Sequence, residues 1–109
     1  MSCEKDYADL SLCVNRGLVN EAVKISFVVG ELNVADVVFK LYIAAGGVVK
    51  RTLTEGSGLT KNSGENAIYI DAWTESDLPA YNYDLLITYT DSLGEWDLFR
   101  GKYSVTNKL

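Results

Sequence analysis

Residues 82–106 read NYDLLITYTDSLGEWDLFRGKYSVT, and this stretch decides the fold class. In its first part the odd positions, Tyr83, Leu85, Ile87 and Tyr89, are uniformly apolar or aromatic, the period of two with which a strand buries one face. Asp84 then belongs to the opposite, surface side. The tetrad Asp91-Ser92-Leu93-Gly94 suits a type I turn closed by a left-handed residue, because glycine takes positive φ without steric cost. Residues 96–106 resume the strand chemistry, so the stretch predicts a β-hairpin.

The same pattern extends outward. Phe39, Leu41 and Ile43 alternate with Lys40 and Tyr42, and Ile68, Ile70 and Ala72 alternate with Tyr69, Asp71 and Trp73. Val, Ile, Thr, Phe, Tyr and Trp together supply 35 of the 109 residues, an enrichment in side chains that pack on a pleated surface. Seven runs are expected as strands, at 9–15, 22–29, 37–44, 48–54, 67–73, 82–90 and 96–106, separated by turn residues such as Gly30 and Gly46-Gly47. This spacing predicts an antiparallel sandwich or barrel. The polar stretch 55–65, with its three glycines, reads as a loop. Thr74-Glu75-Ser76-Asp77 reads as a capping box that Pro79 stops, giving one short helical turn.

Composition narrows the function. One domain over 1–109 is expected, with 1–6 and 107–109 as flexible arms, since this length buries enough surface for one core but not two. The absence of histidine removes Ser-His-Asp and Cys-His catalysis and every zinc site with an imidazole ligand. A net charge of −5 repels nucleic acid, and the excess lies wholly in residues 55–109, which hold four Lys/Arg against nine Asp/Glu. Neither a nucleic-acid partner nor a membrane segment is expected, because no basic patch, signal-like start or long apolar run is present. Cys3 and Cys13 are too widely spaced for a zinc finger or CxxC pair, and Cys13, inside Leu10-Ser11-Leu12-Cys13-Val14, reads as a buried free thiol rather than half of a bridge.

Sharper readings of single motifs fall to plainer ones. The segment from Asp91 to Asp97 lacks the Asp-x-Asp-x-Asp spacing and the distal bidentate Glu of a calcium loop, and reads as a turn with solvated acids. Asp71, Asp84 and Asp97 could supply a glycosidase carboxylate pair, but no spacing singles out two of them. Gly46-Gly47 and Gly56-Ser57-Gly58 lack the lysine and helix of a phosphate loop. No metal or cofactor is expected. The large rings are too many for one small core, so Tyr69, Trp73, Tyr81 and Trp96 are the candidate protein-interface residues, with core-edge packing of the two tryptophans as the alternative.

Several segments together resemble a known group. Gly58-Leu59-Thr60, Ile68-Tyr69-Ile70, the turn at Thr74 and Asp77, Leu78-Pro79, Tyr81-Asn82-Tyr83-Asp84-Leu85, the hairpin between Asp91 and Gly94, and Leu98-Phe99-Arg100-Gly101-Lys102-Tyr103-Ser104-Val105 follow one another in the order of small tailed-phage virion proteins with an immunoglobulin-like sandwich. The N-terminal domain of phage upper baseplate proteins is the best-known relative in that group, and its "YxYDL" and "LxxGxxxV" strands are matched at 81–85 and 98–105. Leu10-Ser11-Leu12-Cys13-Val14-Asn15-Arg16-Gly17 resembles the group's opening "LxLxRG" strand, while its "DGxPxDLTG" segment is reduced here to Val34-Ala35-Asp36-Val37-Val38. The resemblance implies an all-β, immunoglobulin-like antiparallel sandwich of about seven strands. It further implies a non-enzymatic structural or attachment protein of the virion (tail, baseplate or head surface), assembled in the host cytoplasm, with other virion proteins as partners and a homo-oligomeric state. A free carbohydrate- or surface-binding module is the alternative, and a small carboxylate hydrolase a third reading.

Overall fold

The computed structural model describes residues 10–15, 19–71, 73–74 and 78–106. In chain order its elements are β1 (Leu10–Asn15), β2 (Val19–Asn20), β3 (Val23–Ser26), a 3-10 turn (Val34–Asp36), β4 (Val38–Ala45), β5 (Val48–Glu55), β6 (Gly58–Asn62), β7 (Ala67–Ile70), β8 (Trp73–Thr74), β9 (Tyr81–Asp91) and β10 (Gly94–Thr106). Eight strands form one curled, mixed sheet in the order β1-β10-β9-β4-β5-β6-β7-β3, and β2 pairs separately with β8.

The hairpin read first in the sequence is the spine of this sheet. β9 and β10 pair from Gly94↔Asp91 to Val105↔Tyr81, with a bulge between Asp97 and Phe99. Its turn is built as the tetrad requires: Gly94 sits at φ +139°, and the Asp91 carboxylate accepts from the Leu93 amide at 2.8 Å and the Trp96 indole at 3.0 Å. β4 pairs with the other edge of β9, so that Leu41 faces Ile87 and Ile43 faces Leu85.

The alternations become burial. Phe39, Leu41 and Ile43 of β4, Leu85 and Ile87 of β9, and Ile68 and Ile70 of β7 are each no more than 1% exposed. They share one cluster with Leu59, Tyr83, Tyr103 and Val105, because the sheet curls until the β6-β7-β3 side closes over the β10-β9-β4 side. Each fully buried Leu or Ile contributes about 1.5–3 kcal/mol relative to exposure. Tyr83 adds a polar tether, its hydroxyl donating to the Pro79 carbonyl at 2.7 Å.

Four expectations change. The sheet is not purely antiparallel: β1 runs parallel to β10, and β5 parallel to β6, since side-chain alternation is the same for either strand direction. The stretch 55–65 is not a mere loop. After β5 the chain makes a tight turn, with the Ser57 amide donating to the Thr54 carbonyl and the Gly56 amide to the Leu59 carbonyl, each at 2.8 Å, and continues as β6. Leu59, wholly buried, is the one apolar residue of that strand, too little for a sequence pattern. The run 22–29 shortens to Val23–Ser26, and the run 67–73 breaks after Ile70, leaving Trp73 in β8. Thr74 is likewise extended rather than helical, residues 75–77 lie outside the described residues, and the 3-10 turn forms instead at Val34–Asp36. Cys3, the arms 1–6 and 107–109, and the side chain of Cys13 also lie outside the described residues.

Two residues hold the irregular parts. Asn66, buried and at φ +51°, accepts from the Val34 amide at 2.9 Å and donates to the carbonyls of Phe27 at 2.9 Å and Leu32 at 3.0 Å. It thereby closes the loop between β3 and β4. Gly58, at φ +105°, lies against Leu53, whose Cδ2 would be 2.8 Å from an added Cβ. Gly58→Ala is therefore expected to lower stability by roughly 1–3 kcal/mol, from the strained φ and the collision together. Urea unfolding measures this, and a loss below about 0.5 kcal/mol would show that the turn relaxes freely.

Candidate functional site

Alternation that sends Leu41, Leu85 and Ile87 inward sends Tyr42, Asp84, Leu86 and Thr88 to the opposite side of β4 and β9. A groove of about 840 Å³ runs across β5, β4, β9 and β10, with Tyr42, Ala44, Val49, Leu86, Arg100 and Lys102 among its lining residues. At one end of it the Tyr42 and Thr88 hydroxyls both donate to the same Glu95 carboxylate oxygen, each at 2.6 Å. Thr88 is only 2% exposed, and this bond satisfies its hydroxyl. Along the rim Lys102 pairs with Asp84 at 2.9 Å and Arg100 with Asp97 at 2.7 Å. Both ion pairs are well exposed and contribute little to stability; they balance charge within the groove.

Hydrogen bonding tunes several of these groups. Thr88 and then Tyr42 hold the Glu95 carboxyl below the usual range; the Tyr69 hydroxyl does the same for Glu65, helped by Lys24, and the Trp96 indole and Leu93 amide do so for Asp91. The phenols of Tyr42 and Tyr69 are raised, chiefly because each donates to a carboxylate, Glu95 and Glu65 respectively. A carboxyl whose pKa is depressed by folding contributes stability above its unfolded pKa, lost as pH falls through the folded value. A phenol whose pKa is raised contributes stability below its unfolded pKa, lost as pH rises through the folded value. Tm is thus expected to be flat between about pH 5 and 9.5 and to decline on both sides. Glu95→Gln should flatten both flanks, since it removes one depressed carboxyl and one carboxylate partner of a raised phenol; unchanged flanks in a Tm-against-pH series would contradict the coupling.

Of the three carboxylates considered for hydrolysis, the fold brings two to one groove and separates the third. Asp84 and Asp97 reach the same groove, each on its own cation, whereas Asp71 accepts from Thr60 at 2.7 Å on the far side of the sheet. Among the described residues no group of three side chains able to hold a metal occurs.

The aromatic candidates do not form one patch. Tyr69 lies half-buried on the outer side of β7, its hydroxyl 2.5 Å from Glu65 and its ring 5.9 Å from the Lys24 ammonium. Tyr81 begins β9, 58% exposed and edge-on to Tyr83, while Trp96, 45% exposed, pairs with Tyr89 near the other end of that strand. Tyr81 and Tyr89 are eight residues apart in extended chain, about 26 Å. The side chain of Trp73 is outside the described residues.

What single-motif reading missed is the distribution of exposed aliphatics. Val28, Val29, Val38 and Leu93 join Trp96 at the end where β4 and β10 begin and β9 finishes; Val48 and Val49 join Tyr81 at the opposite end. Val28 and Val29 are exposed because β3 stops at Ser26, a boundary that the apolar run through Val29 conceals.

No family model, curated protein or solved structure matches the chain.

Proposed function

We propose that the chain is a non-enzymatic attachment or structural module that acts by docking through its ends, within a tailed-phage particle, and that its curled sheet is an immunoglobulin-like sandwich. In this reading β3, β6 and β7 are one layer and β1, β4, β5, β9 and β10 the other, with the chain changing layers at the β5-β6 turn. The strand order supports it, as does the hydroxyl of Tyr83, early in β9, donating to a backbone carbonyl four residues upstream, the arrangement of a tyrosine corner. The particle setting is supported by the motif order alone; its two best-matched segments, 81–85 and 98–105, are partners in the hairpin, with Tyr83 opposite Tyr103 and Leu85 opposite Gly101. Docking is carried by one observation: among the side chains the structure describes, the large apolar ones that are well exposed, Val28, Val29, Val38, Leu93, Trp96, Val48, Val49 and Tyr81, lie at one or other of the two ends. Such clusters mark interaction surfaces when they are contiguous.

Quantitative mass spectrometry of purified particles, scaled to the major capsid protein, tests the setting. On the order of hundreds of copies fit a head-surface protein and a small multiple of three or six fits tail or baseplate. Absence from the particles overturns this reading.

The groove favours a second reading, a carbohydrate-binding module. Its apolar lining and its internally neutralised Asp-Lys and Asp-Arg pairs suit a neutral, hydroxyl-rich ligand better than an ion. Titration calorimetry with neutral saccharides, on the wild type and on Arg100→Ala, separates the two: saturable heat lost in the variant supports the glycan site, and no heat with any saccharide removes it.

A further inference from the structure

We propose that Glu95 and Lys40 together read a ligand hydroxyl at one end of the groove, so that the groove takes a neutral saccharide and rejects the corresponding sugar acid. The inference rests on the second reading above, the carbohydrate-binding one, and names the residues that select the ligand.

The pairing register lays out the outer side of the sheet. Lys40, Thr88 and Asp97 stand in one row across β4, β9 and β10; Tyr42, Leu86 and Arg100 form the next, and Ala44, Asp84 and Lys102 the one after. Glu95 starts outside the first row, opposite Thr90, and leans back across it, since its carboxylate meets both the Thr88 and the Tyr42 hydroxyls. Both bonds fall on one oxygen, Oε2. The other, Oε1, accepts nothing from the described residues, although a carboxylate has room for about four donors. Two short bonds, one of them from a buried threonine, fix the group, so its free oxygen is held in a set place.

Lys40 supplies the complementary donor. It stands opposite Thr88 and its field acts on Glu95, yet among the described residues it forms no ion pair or hydrogen bond. An ammonium with its donors free thus stands near a carboxylate with a free oxygen, without touching it. A hydroxyl suits such a place because one oxygen atom both donates and accepts: it gives its proton to Oε1 and receives one from the Lys40 Nζ. The same two bonds are charge-assisted, which makes them stronger than bonds between neutral groups.

The rest of the groove fixes the ligand class. On this face Lys40, Arg100 and Lys102 balance Asp84, Glu95 and Asp97, and two of these pairs are already closed, at 2.7 and 2.9 Å. An ion therefore finds no unmatched partner, and an anion meets the free oxygen of Glu95. Between the polar edges Ala44, Val49 and Leu86 line the groove with apolar surface, against which the C–H face of a sugar ring sheds water. The volume of about 840 Å³ is that of a small-molecule site.

Chemical-shift titration of the isotope-labelled full chain tests this, with methyl glycosides of glucose, galactose, mannose and N-acetylglucosamine, and with methyl glucuronide as the anionic counterpart. The wild type should bind at least one neutral glycoside, with shifts centred on Lys40, Thr88 and Glu95, and the glucuronide roughly tenfold more weakly or not at all. Glu95→Gln keeps an acceptor for Thr88 and Tyr42 but sets an amide N–H where Oε1 stood. It should weaken the neutral glycoside roughly tenfold or more and narrow the gap between neutral sugar and sugar acid, which a merely structural role would not do. Lys40→Met, with its stem kept, should weaken binding as well, and the double variant should lose less than the product of the two, since both groups act on one hydroxyl. Unchanged circular dichroism checks the fold of each. A wild type that binds sugars while both single variants bind as tightly overturns the inference and leaves the glycan reading standing, as does glucuronide binding equal to that of the glucoside. No shift with any probe at its solubility limit removes the glycan reading and the inference with it.

Discussion

Phe39→Ala is expected to destabilise the chain by about 3–5 kcal/mol, a large share of the total stability of order 5–15 kcal/mol that a domain has. Phe39 is wholly buried. Its ring stacks on Phe27 at 5.6 Å between centroids, and the Lys61 ammonium lies 5.9 Å from its centre. Its amide donates to the Glu55 carboxylate at 2.7 Å, a bond that survives the substitution. The loss is therefore a packing loss: a cavity opens at the junction of β4, the β3-β4 loop and the β5-β6 turn, and Phe27 loses its partner. Phe39→Leu should cost about half as much, because it keeps most of the buried volume. The adjacent residue supplies the control. Val38 is 49% exposed, and Val38→Ala should change stability by no more than about 0.5 kcal/mol. Urea midpoints for the three variants test the ordering, and a Phe39→Ala loss as small as that of Val38→Ala would refute the placement of the core.

Asn66→Ala is expected to cost about 3–5 kcal/mol for a different reason. The substitution leaves the Val34 amide and the carbonyls of Phe27 and Leu32 without their side-chain partner, each in a buried or partly buried place. An unsatisfied buried polar group costs about 1–3 kcal/mol, reduced where water can enter. The positive φ adds roughly 1 kcal/mol, since alanine lacks the local bonding with which asparagine tolerates that region. Asn66→Gly separates the two causes: it removes the same hydrogen bonds but relieves the backbone, so it should recover about 1 kcal/mol relative to alanine. If glycine and alanine are equally damaging, strain plays no part; if both are harmless, the side chain does not hold the loop.

How much of this was readable in advance depends on the physical range of each feature. The alternations at 39–43, 68–70 and 83–87 became buried faces because period two is a local property of the extended chain. The turn at 91–94 was legible for the same reason, its conformation being set by its own four residues. β6 was not, for its Leu59 is one apolar residue among Thr60, Lys61 and Asn62, and its strand character comes from pairing with β7. Strand direction was equally hidden at β1 and β6, which join their neighbours in parallel. At the candidate site, Tyr81 and Trp96 were found as exposed rings, but that they stand at opposite ends follows only from their places along one paired hairpin.

The amino-acid sequence by itself determined that this chain is built of strands, which side chains of its regular strands face the core, and where its central hairpin turns, because those properties arise from residues within a few positions of one another. The tertiary structure decided which apolar residues stay outside. Val28 and Val29 have the same side chain as buried Val34 and Val37, and they remain exposed because β3 ends at Ser26 and Asn66, 39 residues beyond Phe27, captures the backbone there. Exposure is a sum over neighbours that are remote in the chain, so the two ends, and any docking they perform, exist only once the sheet has curled.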